Sequence, residues 1–373
     1  MSFLEINSLR KVFGDTVAVD DVSLTVEEGD FITVVGPSGC GKTTTLLNVA
    51  GLQAPTSGSI ELKGRDLTDL PAYKRDIGVV FQDYALFPHK TVAENIAFGL
   101  KMRGESQSKR DEVVEEMLSM IDLEGYEDVY PHQCSGGEQQ RVAVARALAF
   151  DPDLVLMDEP LSNLDKKLRQ SLRTELKRIQ RETGVTTIYV THNQTEALSM
   201  GDKIAVMNNG NLEQFADPKL AYEKPASPFV ANFLGQSSRI DGTLRTDSAP
   251  HVQLENGAIL EVDVREGFDD GDAVAVFLRN ELVSVTENQP ADVNAFTGRV
   301  AEVDYQGRDV IYYVTVPDLD VTVQVSGDGR GTVYEAGKKV WLSIAPEDVI
   351  YTASEGRTGD QKHAAVQTSV GAQ

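Results

Sequence analysis

The sequence predicts an α/β domain followed by a smaller all-β domain. Up to about residue 235, short apolar runs rich in Val and Ile alternate with segments of helical periodicity, which is typical of α/β units around a buried sheet. After Gly235, Gly and Asp separate alternating Val-containing segments about every ten residues, and long helical periods end. We therefore place an α/β domain at 1–235 and a β-domain at 236–353.

The first domain has clear candidates for buried strands and for amphipathic helices. Uninterrupted apolar runs predict strands at 31–35, 154–157 and 187–190. Apolar residues at helical spacing, with charges between them, predict amphipathic helices at 108–123 and 168–181.

The second domain contains an internal repeat. Residues 271–283 align with 337–349, with Gly, Val and Glu at matching positions. This favours a duplicated small β-barrel unit of the OB type, although two unrelated strands with similar alternation would give the same pattern. The polar segment 354–373 is predicted to be a disordered tail.

The net charge of the chain limits the kinds of partner that it is expected to bind. The 373 residues carry a formal net charge of −23, and the acid excess runs through both domains. Phosphate binding by nucleic-acid proteins relies on clustered Lys and Arg, so duplex nucleic acid is not predicted as a partner. High negative charge favours solubility at high salt and suggests a halophile's cytosol, while an ordinary acidic cytosolic protein remains the alternative.

Cysteine usage and hydropathy indicate a cytosolic chain. Two cysteines, Cys40 and Cys134, cannot form a disulfide framework. The N-terminus reads Met-Ser-Phe-Leu-Glu-Ile, which predicts a first strand and not a secretory signal. No apolar stretch is long enough to span a bilayer, so any membrane role is expected to come through a partner.

A glycine-rich segment separates the predicted strand at 31–35 from a helical run at 44–50. Residues 36–43 fit the pattern G-x-x-x-x-G-K-[ST]. In this setting glycines let backbone N–H groups surround phosphate oxygens, and the helix directs its positive end toward them. Lys42 is predicted to neutralise the β- and γ-phosphates of a nucleotide, and the Thr43 hydroxyl to ligate Mg²⁺. The predicted phosphate-binding residues are Gly36, Pro37, Ser38, Gly39, Cys40, Gly41, Lys42, Thr43 and Thr44.

Two adjacent acids follow the apolar run at 154–157. Alone, such a pair is more often the start of a solvated helix. Beside a phosphate loop it predicts a Walker B site, because ligands of open α/β sheets bind at the carboxyl ends of strands. Asp158 suits the Mg²⁺ shell, and Glu159 suits a general base that polarises the attacking water. The pair predicts a nucleotide hydrolase.

The segment Cys-Ser-Gly-Gly-Glu at 134–138, which opens a helical run, resembles the signature motif of ABC transporter ATP-binding subunits. The family usually has Leu where Cys134 stands and Gln where Glu138 stands. A Ser-Gly-Gly turn at a helix N-terminus is itself suited to bind an anion. The resemblance implies that the turn contacts the γ-phosphate of ATP bound to the opposite subunit through Ser135, Gly136 and Gly137.

The other motifs of the family occur in the expected order. The resemblance implies that Gln82 touches Mg²⁺, supports hydrolysis and leads into a helical subdomain at about 83–150. It also implies that Asp165 lies at a dimer interface and that His192 contacts the γ-phosphate. Phe13 stands where the family places an aromatic side chain on adenine, and stacking requires only the ring face.

The resemblance also predicts an assembly. Since each motif occurs once, two copies must meet to trap two ATP molecules in a homodimer. The β-domain resembles the TOBE accessory domain of importer ATPases in the maltose, iron and polyamine branch. This implies work at the cytoplasmic face of the membrane with transmembrane permease subunits, and indirectly with an extracellular solute-binding protein.

Two questions remain open at this stage. Segments 83–88 and 165–169 are closer to polyamine and ferric-iron ATPases than to sugar ATPases, which ranks polyamine or ferric iron before sugar as cargo. A soluble ABC ATPase of translation or DNA repair is the alternative class. Those proteins usually have two cassettes, coiled-coil arms or basic surfaces, and this sequence has no evident counterpart.

Overall fold

The computed structural model describes residues 2–247, 249–291 and 293–354. These residues divide into two compact units, one up to Pro218 and one from Lys219 onward. The predicted disordered tail at 354–373 lies outside the described residues, apart from Ser354. Within the described residues, no helix has both the length and the apolar character needed to cross a lipid bilayer.

The first unit contains two sheets and a set of helices. Its strands are β1 (Leu4–Phe13), β2 (Thr16–Val26), β3 (Phe31–Val35), β4 (Ser57–Leu62), β5 (Arg65–Asp66), β6 (Ile77–Val80), β7 (Leu154–Asp158), β8 (Thr186–Thr191), β9 (Lys203–Asn208) and β10 (Asn211–Ala216). Its helices are α1 (Lys42–Val49), α2 (Val92–Ile96), α3 (Phe98–Met102), α4 (Gln107–Met120), α5 (Gly136–Leu148), α6 (Lys166–Thr183) and α7 (Gln194–Met200).

The larger sheet has the order β10-β9-β3-β8-β7-β6 and is parallel except for β10. Every residue of β3, β7 and β8 is buried, as expected for parallel strands covered on both faces. Alternate side chains enter two cores: Phe31 packs with the helices α2 to α6, whereas Ile32 packs with α1 and the smaller sheet. That smaller sheet is antiparallel, in the order β2-β1-β4-β5.

The ends of the long helices differ by a few residues from the sequence prediction. Helix α6 begins at Lys166 because the Asp165 carboxylate accepts hydrogen bonds from the first free N–H groups. It ends at Thr183, and the following residue, Gly184, has a left-handed φ of 66°. Helix α4 ends at Met120, before the predicted 123, and Asp122 has a φ of 52°. The predicted bounds differ because apolar periodicity does not detect a polar first turn of a helix, or a residue with left-handed φ at its C-terminal end.

The second unit is built mainly from antiparallel strands. Its elements are α8 (Pro218–Glu223), α9 (Pro228–Phe233), β11 (Ser237–Arg245), β12 (His251–Leu254), β13 (Ile259–Glu261), β14 (Ala273–Arg279), β15 (Ser284–Thr286), β16 (Asn294–Tyr305), β17 (Asp309–Val316), β18 (Val321–Asp328), β19 (Lys339–Ile344) and β20 (Ile350–Ala353). The two sheets have the orders β13-β12-β11-β14-β20 and β15-β19-β16-β17-β18.

The two segments of the sequence repeat occupy equivalent positions in these sheets. Segment 271–283 contains β14, which pairs with β11, and segment 337–349 contains β19, which pairs with β16. The following short strands are exchanged: β15 pairs with β19, and β20 pairs with β14. Because each sheet is completed by a strand from the other copy, the two copies share one apolar core.

The division between the compact units falls at 218, earlier than the predicted 235. Helix α9 packs on the second unit because Ala231 lies in a cluster with Phe277 and Ile350. The fully buried Arg279 donates from Nη1 to the Ala231 carbonyl at 2.7 Å. These contacts, between residues distant in sequence, place the segment after 218 with the β-strands.

One buried arginine holds the C-terminal end of α1. Arg75 is 2% exposed and donates hydrogen bonds of 2.7–3.1 Å to four backbone carbonyls. The carbonyls belong to Asn48, Val49, Thr68 and Leu70. Two of them are at the end of α1, where helix carbonyls have no partner within the helix.

Arg75→Met is expected to lower the free energy of unfolding by roughly 2–4 kcal/mol, because several buried carbonyls lose a charged donor. Arg103→Met is the matched control, since Arg103 pairs with Asp76 at 2.6 Å on the surface. That change is expected to cost less than about 1 kcal/mol. Urea unfolding of both variants checks this, and equal losses would contradict the role given to Arg75.

Candidate ATP-binding and hydrolysis site

The strand order brings three sequence-distant loops to one edge of the larger sheet. Strand β8 lies between β3 and β7, and Val35 pairs with Thr191 while Asp158 pairs with Val190. The three strands therefore end at the same level. The phosphate loop follows β3, the two acids lie at the end of β7, and His192 follows β8. Carboxyl ends of adjacent parallel strands are where ligands of open α/β sheets bind.

The phosphate loop packs closely against neighbouring backbone on its inner side, and its outer side is exposed. A Cβ on Gly36 would lie 2.2 Å from the Met207 carbonyl oxygen, and one on Gly41 would lie 2.4 Å from that of Ala18. Gly41 also has a φ of 101°, which L side chains rarely adopt. The crest of the loop is exposed and comprises Pro37, Ser38 and Gly39. Backbone N–H groups at such a crest can approach phosphate oxygens closely.

Lys42 lies inside this loop. It is 6% exposed, and Nζ donates to the carbonyls of Gly36 at 2.8 Å and Pro37 at 2.9 Å. Cys40 Sγ lies 3.9 Å from the same ammonium. The ammonium is thus held by neutral carbonyls at the start of α1, where the helix dipole favours an anion.

Thr43 and Asp158 form an oxygen-rich pair beside the loop. The Thr43 hydroxyl donates to Asp158 Oδ1 at 2.9 Å. Burial raises the pKa of the Asp158 carboxyl, the Thr43 hydrogen bond opposes that rise, and the Glu159 charge adds to it. A hydroxyl and a carboxylate are donors that Mg²⁺ accepts, with substrate phosphates and water completing its shell. The residues therefore fit the predicted metal site.

Glu159 and His192 are in direct contact. His192 Nδ1 lies 2.9 Å from Glu159 Oε2. Glu159 has a φ of 44°, an uncommon backbone conformation for a non-glycine residue, and its N–H donates to the Val190 carbonyl at 3.0 Å. Ser162 Oγ donates to the Glu159 carbonyl at 2.9 Å. Backbone strain of this kind persists where surrounding contacts fix it, and such positions are frequent at active sites.

The turn before α6 contacts the segment that contains Gln82. Asn163 Nδ2 donates to the Gln82 carbonyl at 3.1 Å. Asp165 caps α6, and its Oδ1 accepts from the N–H groups of Lys167 and Leu168. Gln82 itself is exposed, two residues beyond the end of β6. Its predicted contact with Mg²⁺ remains a prediction.

The turn after Gln82 is held by the helix that the signature motif begins. Tyr84 and Ala85 both have positive φ, 62° and 46°. Arg146 of α5 donates to their carbonyls, at 2.8 Å to Tyr84 and 2.6 Å to Ala85. Since Arg146 lies near the end of α5, this helix joins the signature turn to the turn that follows Gln82.

The signature turn is a capped helix N-terminus. Ser135 Oγ accepts from the Glu138 N–H at 3.4 Å, while Glu138 Oε2 accepts from the Ser135 N–H at 2.6 Å. The Ser135 backbone N–H is the main cause that holds the pKa of Glu138 below its usual value. The Tyr126 hydroxyl adds a hydrogen bond to Glu138 at 2.9 Å. A carboxylate in this position makes a complete capping box, which explains how Glu suits the place of the family's Gln.

The glycines of the signature turn pack against residues around the start of α6. A Cβ on Gly136 would meet Leu164, which precedes α6, and one on Gly137 would meet Leu168 in the first turn of α6. In the described parts of the chain, no hydrogen bond joins residues 135–137 to residues 36–43. Within the described residues, the two anion-binding turns of one chain are therefore not hydrogen-bonded to each other.

Phe13 ends β1 and has 45% of its surface exposed. Lys11 Nζ lies 4.9 Å from the ring centroid. An exposed ring of this kind has a face free for stacking, and its contact with adenine remains a prediction.

The structure brings together the phosphate loop, Asp158, Glu159 and His192 at one edge of the larger sheet, and their roles remain predictions. It also adds side chains that the sequence analysis did not select: Arg146 at the strained turn, and Arg169 with Glu196 behind the acids. Each of these charged residues lies on a helix that also has apolar positions. This pattern is common on surface helices, so it did not distinguish these residues. Both cysteines are free and buried.

These features define a P-loop hydrolase with a Walker B acid pair, and the comparisons with known proteins specify its family. The model of the ABC transporter family matches residues 19–162, and that of the TOBE domain matches residues 276–351. The chain is 45% identical to the spermidine/putrescine import ATP-binding protein PotA of Thermobifida fusca, over 89% of this chain and 88% of that protein. The PotA of Pseudomonas aeruginosa strain UCBPP-PA14 is 44% identical, over 90% and 95% of the two chains.

A solved structure supports the same conclusion. It is titled a dimeric structure of a post-hydrolysis state of the ATP-binding cassette MJ0796 bound to ADP and Pi. Its TM-score is 0.52 at 33% identity, over 58% of this chain and 98% of that chain. The chain belongs to the family of importer-type ABC transporter ATP-binding proteins with a TOBE domain. It is an ATPase subunit of an ABC import system.

The buried Asp158 makes stability depend on pH. Burial raises its pKa, so between the ordinary and the raised pKa the folded chain holds a proton that the unfolded chain has released. The free energy of unfolding therefore falls as pH rises through this window. Asp158→Asn is expected to stabilise the nucleotide-free chain at pH 7, with a difference that shrinks toward pH 4.

Urea unfolding at both pH values measures this difference. Asp15→Asn, at an exposed turn between β1 and β2, is the control and is expected to change stability by less than about 0.5 kcal/mol. A destabilised Asp158→Asn chain at pH 7 would show that the carboxylate is not held at a cost.

Proposed function

We propose that this chain drives the import of polyamines such as spermidine and putrescine. The proposal rests mainly on one observation: the chain is 45% identical, over 89% of its length, to a protein named for spermidine/putrescine import. The relatives of similar identity named above cover both the ATPase unit and the β-unit, which supports a match across the whole subunit.

The proposed reaction is hydrolysis of ATP by groups at the edge of the larger sheet. Backbone N–H groups at 36–43 surround the β- and γ-phosphates, and Lys42 moves from its carbonyl partners to the phosphate oxygens. Thr43 and Asp158 would hold Mg²⁺ together with Gln82, and the ion would supply positive charge that neutralises the phosphates when it is bound. Glu159 orients the attacking water and accepts its proton. His192, in contact with Glu159, stabilises the γ-phosphate.

The active assembly we propose is a head-to-tail homodimer. The chain has one phosphate loop and one signature turn, and these two anion sites make no hydrogen bond to each other among the described residues. In the dimer, Ser135, Gly136 and Gly137 of one copy close over the triphosphate held by the other, and Asp165 lies at their interface. Phe13 stacks on the adenine. The dimeric title of the solved relative supports this arrangement.

The proposed partners are transmembrane permease subunits, which place the chain at the cytoplasmic face of the membrane. The helices between Gln82 and Ser135 offer a contact surface next to the strained turn at 84–85. An extracellular solute-binding protein acts indirectly through the permease. The net charge of −23 supports work in a cytosol of high salt concentration.

Glu159→Gln is expected to lower ATP turnover by at least about 100-fold, because the amide cannot accept the proton of water. Its affinity for ATP is expected to stay within a factor of about 3, since Glu159 is not among the phosphate-binding groups. Phosphate release and equilibrium ATP binding measure the two quantities. Lys42→Ala is the companion variant and is expected to weaken binding itself. Normal turnover in Glu159→Gln would remove this residue from its role.

Deletion of this chain from its cell is expected to abolish uptake of labelled spermidine and putrescine. Re-expression of the wild-type chain should restore uptake, and re-expression of Glu159→Gln should not. Labelled ferric iron and maltose are measured in parallel. Loss of iron or sugar uptake with unchanged polyamine uptake would reassign the cargo.

A further inference from the structure

A buried carboxylate next to the catalytic groups has no part in the proposed reaction. Glu196, in the first turn of α7, is 4% exposed. Its Oε2 accepts hydrogen bonds from the Tyr189 hydroxyl at 2.9 Å and from Thr191 Oγ1 at 2.8 Å. Burial and the Glu196 charge raise the pKa of Tyr189 well above its ordinary value, so this hydroxyl remains a donor. A carboxylate buried to this extent requires a compensating positive charge.

Arg169 of α6 supplies that charge. Its Nε lies 3.9 Å from Glu196 Oε1, an ion-pair distance without a hydrogen bond. The same guanidinium donates to three backbone carbonyls of the turn at 161–164, over 2.8–3.3 Å. These carbonyls belong to Leu161, Ser162 and Leu164. A single cation thus joins the carboxylate on α7 to the turn that follows Glu159.

The contacts form a closed circuit around the catalytic pair. Ser162 Oγ donates to the Glu159 carbonyl at 2.9 Å, and Glu159 contacts His192 at 2.9 Å. Thr191, bonded to Glu196, directly precedes His192. The residues of the circuit line one small cavity: Glu159, Ser162, Arg169, Thr191, His192, Asn193 and Glu196. Both chain segments that contribute catalytic groups are therefore tied to one ion pair, in which Glu196 is buried and Arg169 is partly exposed.

We propose that Glu196 is a positioning residue for ATP hydrolysis. By holding Arg169, it fixes the turn at 161–164 and so the distance between Glu159 and His192. The inference rests on the proposed function, because it assigns a support to the general base. Misplacing a catalytic group by about 1 Å costs on the order of 100-fold in rate, so a support of this kind affects turnover more than ATP binding.

Glu196→Gln tests the charge and keeps the shape. The amide oxygen can still accept from Tyr189 and Thr191, whereas Arg169 loses its counter-charge. In the purified full-length chain, we expect kcat for ATP to fall roughly 10- to 100-fold while KM changes less than about 3-fold. The matched control is Glu175→Gln, which removes a carboxylate from the same helix as Arg169. Glu175 pairs with Arg178 at 2.5 Å, and wild-type kcat is expected.

A double-mutant cycle separates positioning from a general loss of stability. Glu196→Gln combined with Arg169→Met should be no slower than Arg169→Met alone, within a factor of about 2, because the carboxylate acts through the guanidinium. A double variant whose loss equals the product of the two single losses would show that the residues act independently, and would overturn the proposal.

If Glu196→Gln is unstable, Arg169→Lys is a second variant that tests the proposal. The ammonium still compensates Glu196, but it is a point charge that cannot reach three carbonyls in the fork geometry of a guanidinium. We expect the variant to stay folded at the assay temperature, as circular dichroism can show, with a roughly 10- to 100-fold lower kcat. Wild-type kcat in this variant would contradict the proposal.

Glu159→Gln serves as the reference for the function itself. Normal hydrolysis in that variant would overturn the proposed general base. Loss of hydrolysis in Glu159→Gln, together with wild-type kcat in Glu196→Gln, would leave the proposed function intact and reject only the positioning role.

Discussion

Strands β3, β8 and β7 lie side by side, parallel and in register, and the site depends on this arrangement. Their backbone hydrogen bonds bring the phosphate loop, the acid pair and His192 to one edge, although the first and last are about 150 residues apart. The strands can occupy the centre of the sheet because their side chains are apolar on both faces. Helices on one side and a second sheet on the other then cover them.

Several groups at the same edge lower the stability of the chain when no ligand is bound. Lys42 is buried among carbonyls, Asp158 is buried beside another carboxylate, and Glu159 has a left-handed backbone. Each is a local loss of stability that a bound anion and cation can offset, since a ligand that binds only the folded chain stabilises it. Glu196 is likewise a buried carboxylate that costs stability, and its partly exposed partner Arg169 offsets that cost while holding the turn at 161–164.

Much of the site could be predicted from sequence because its chemistry requires fixed spacing. The glycines at 36 and 41, the acids at 158 and 159, and the turn at 135–137 each follow or precede a recognisable element. What could not be predicted depends on residues distant in sequence. Arg169 looks like any cation of a surface helix until its carbonyl partners and Glu196 are placed around it.

In the second unit, too, some features could be predicted from sequence and others could not. Its duplication was predicted from residues 271–283 and 337–349, whereas the exchange of β15 and β20 between the sheets was not. Strand exchange leaves no periodic signal, because alternation identifies a strand but not its neighbour. The early division at 218 likewise depends on Arg279 reaching the Ala231 carbonyl.

The central claim is that the turn at 135–137 acts on a triphosphate held by a second copy. Sedimentation velocity of the Glu159→Gln chain, with ATP and Mg²⁺ and then with ADP, tests it most directly. We expect a dimer in ATP and a monomer in ADP, and a monomer in ATP once Gly136→Asp is added without loss of ATP binding. A chain that stays monomeric in ATP, or a dimer that survives Gly136→Asp, would contradict it.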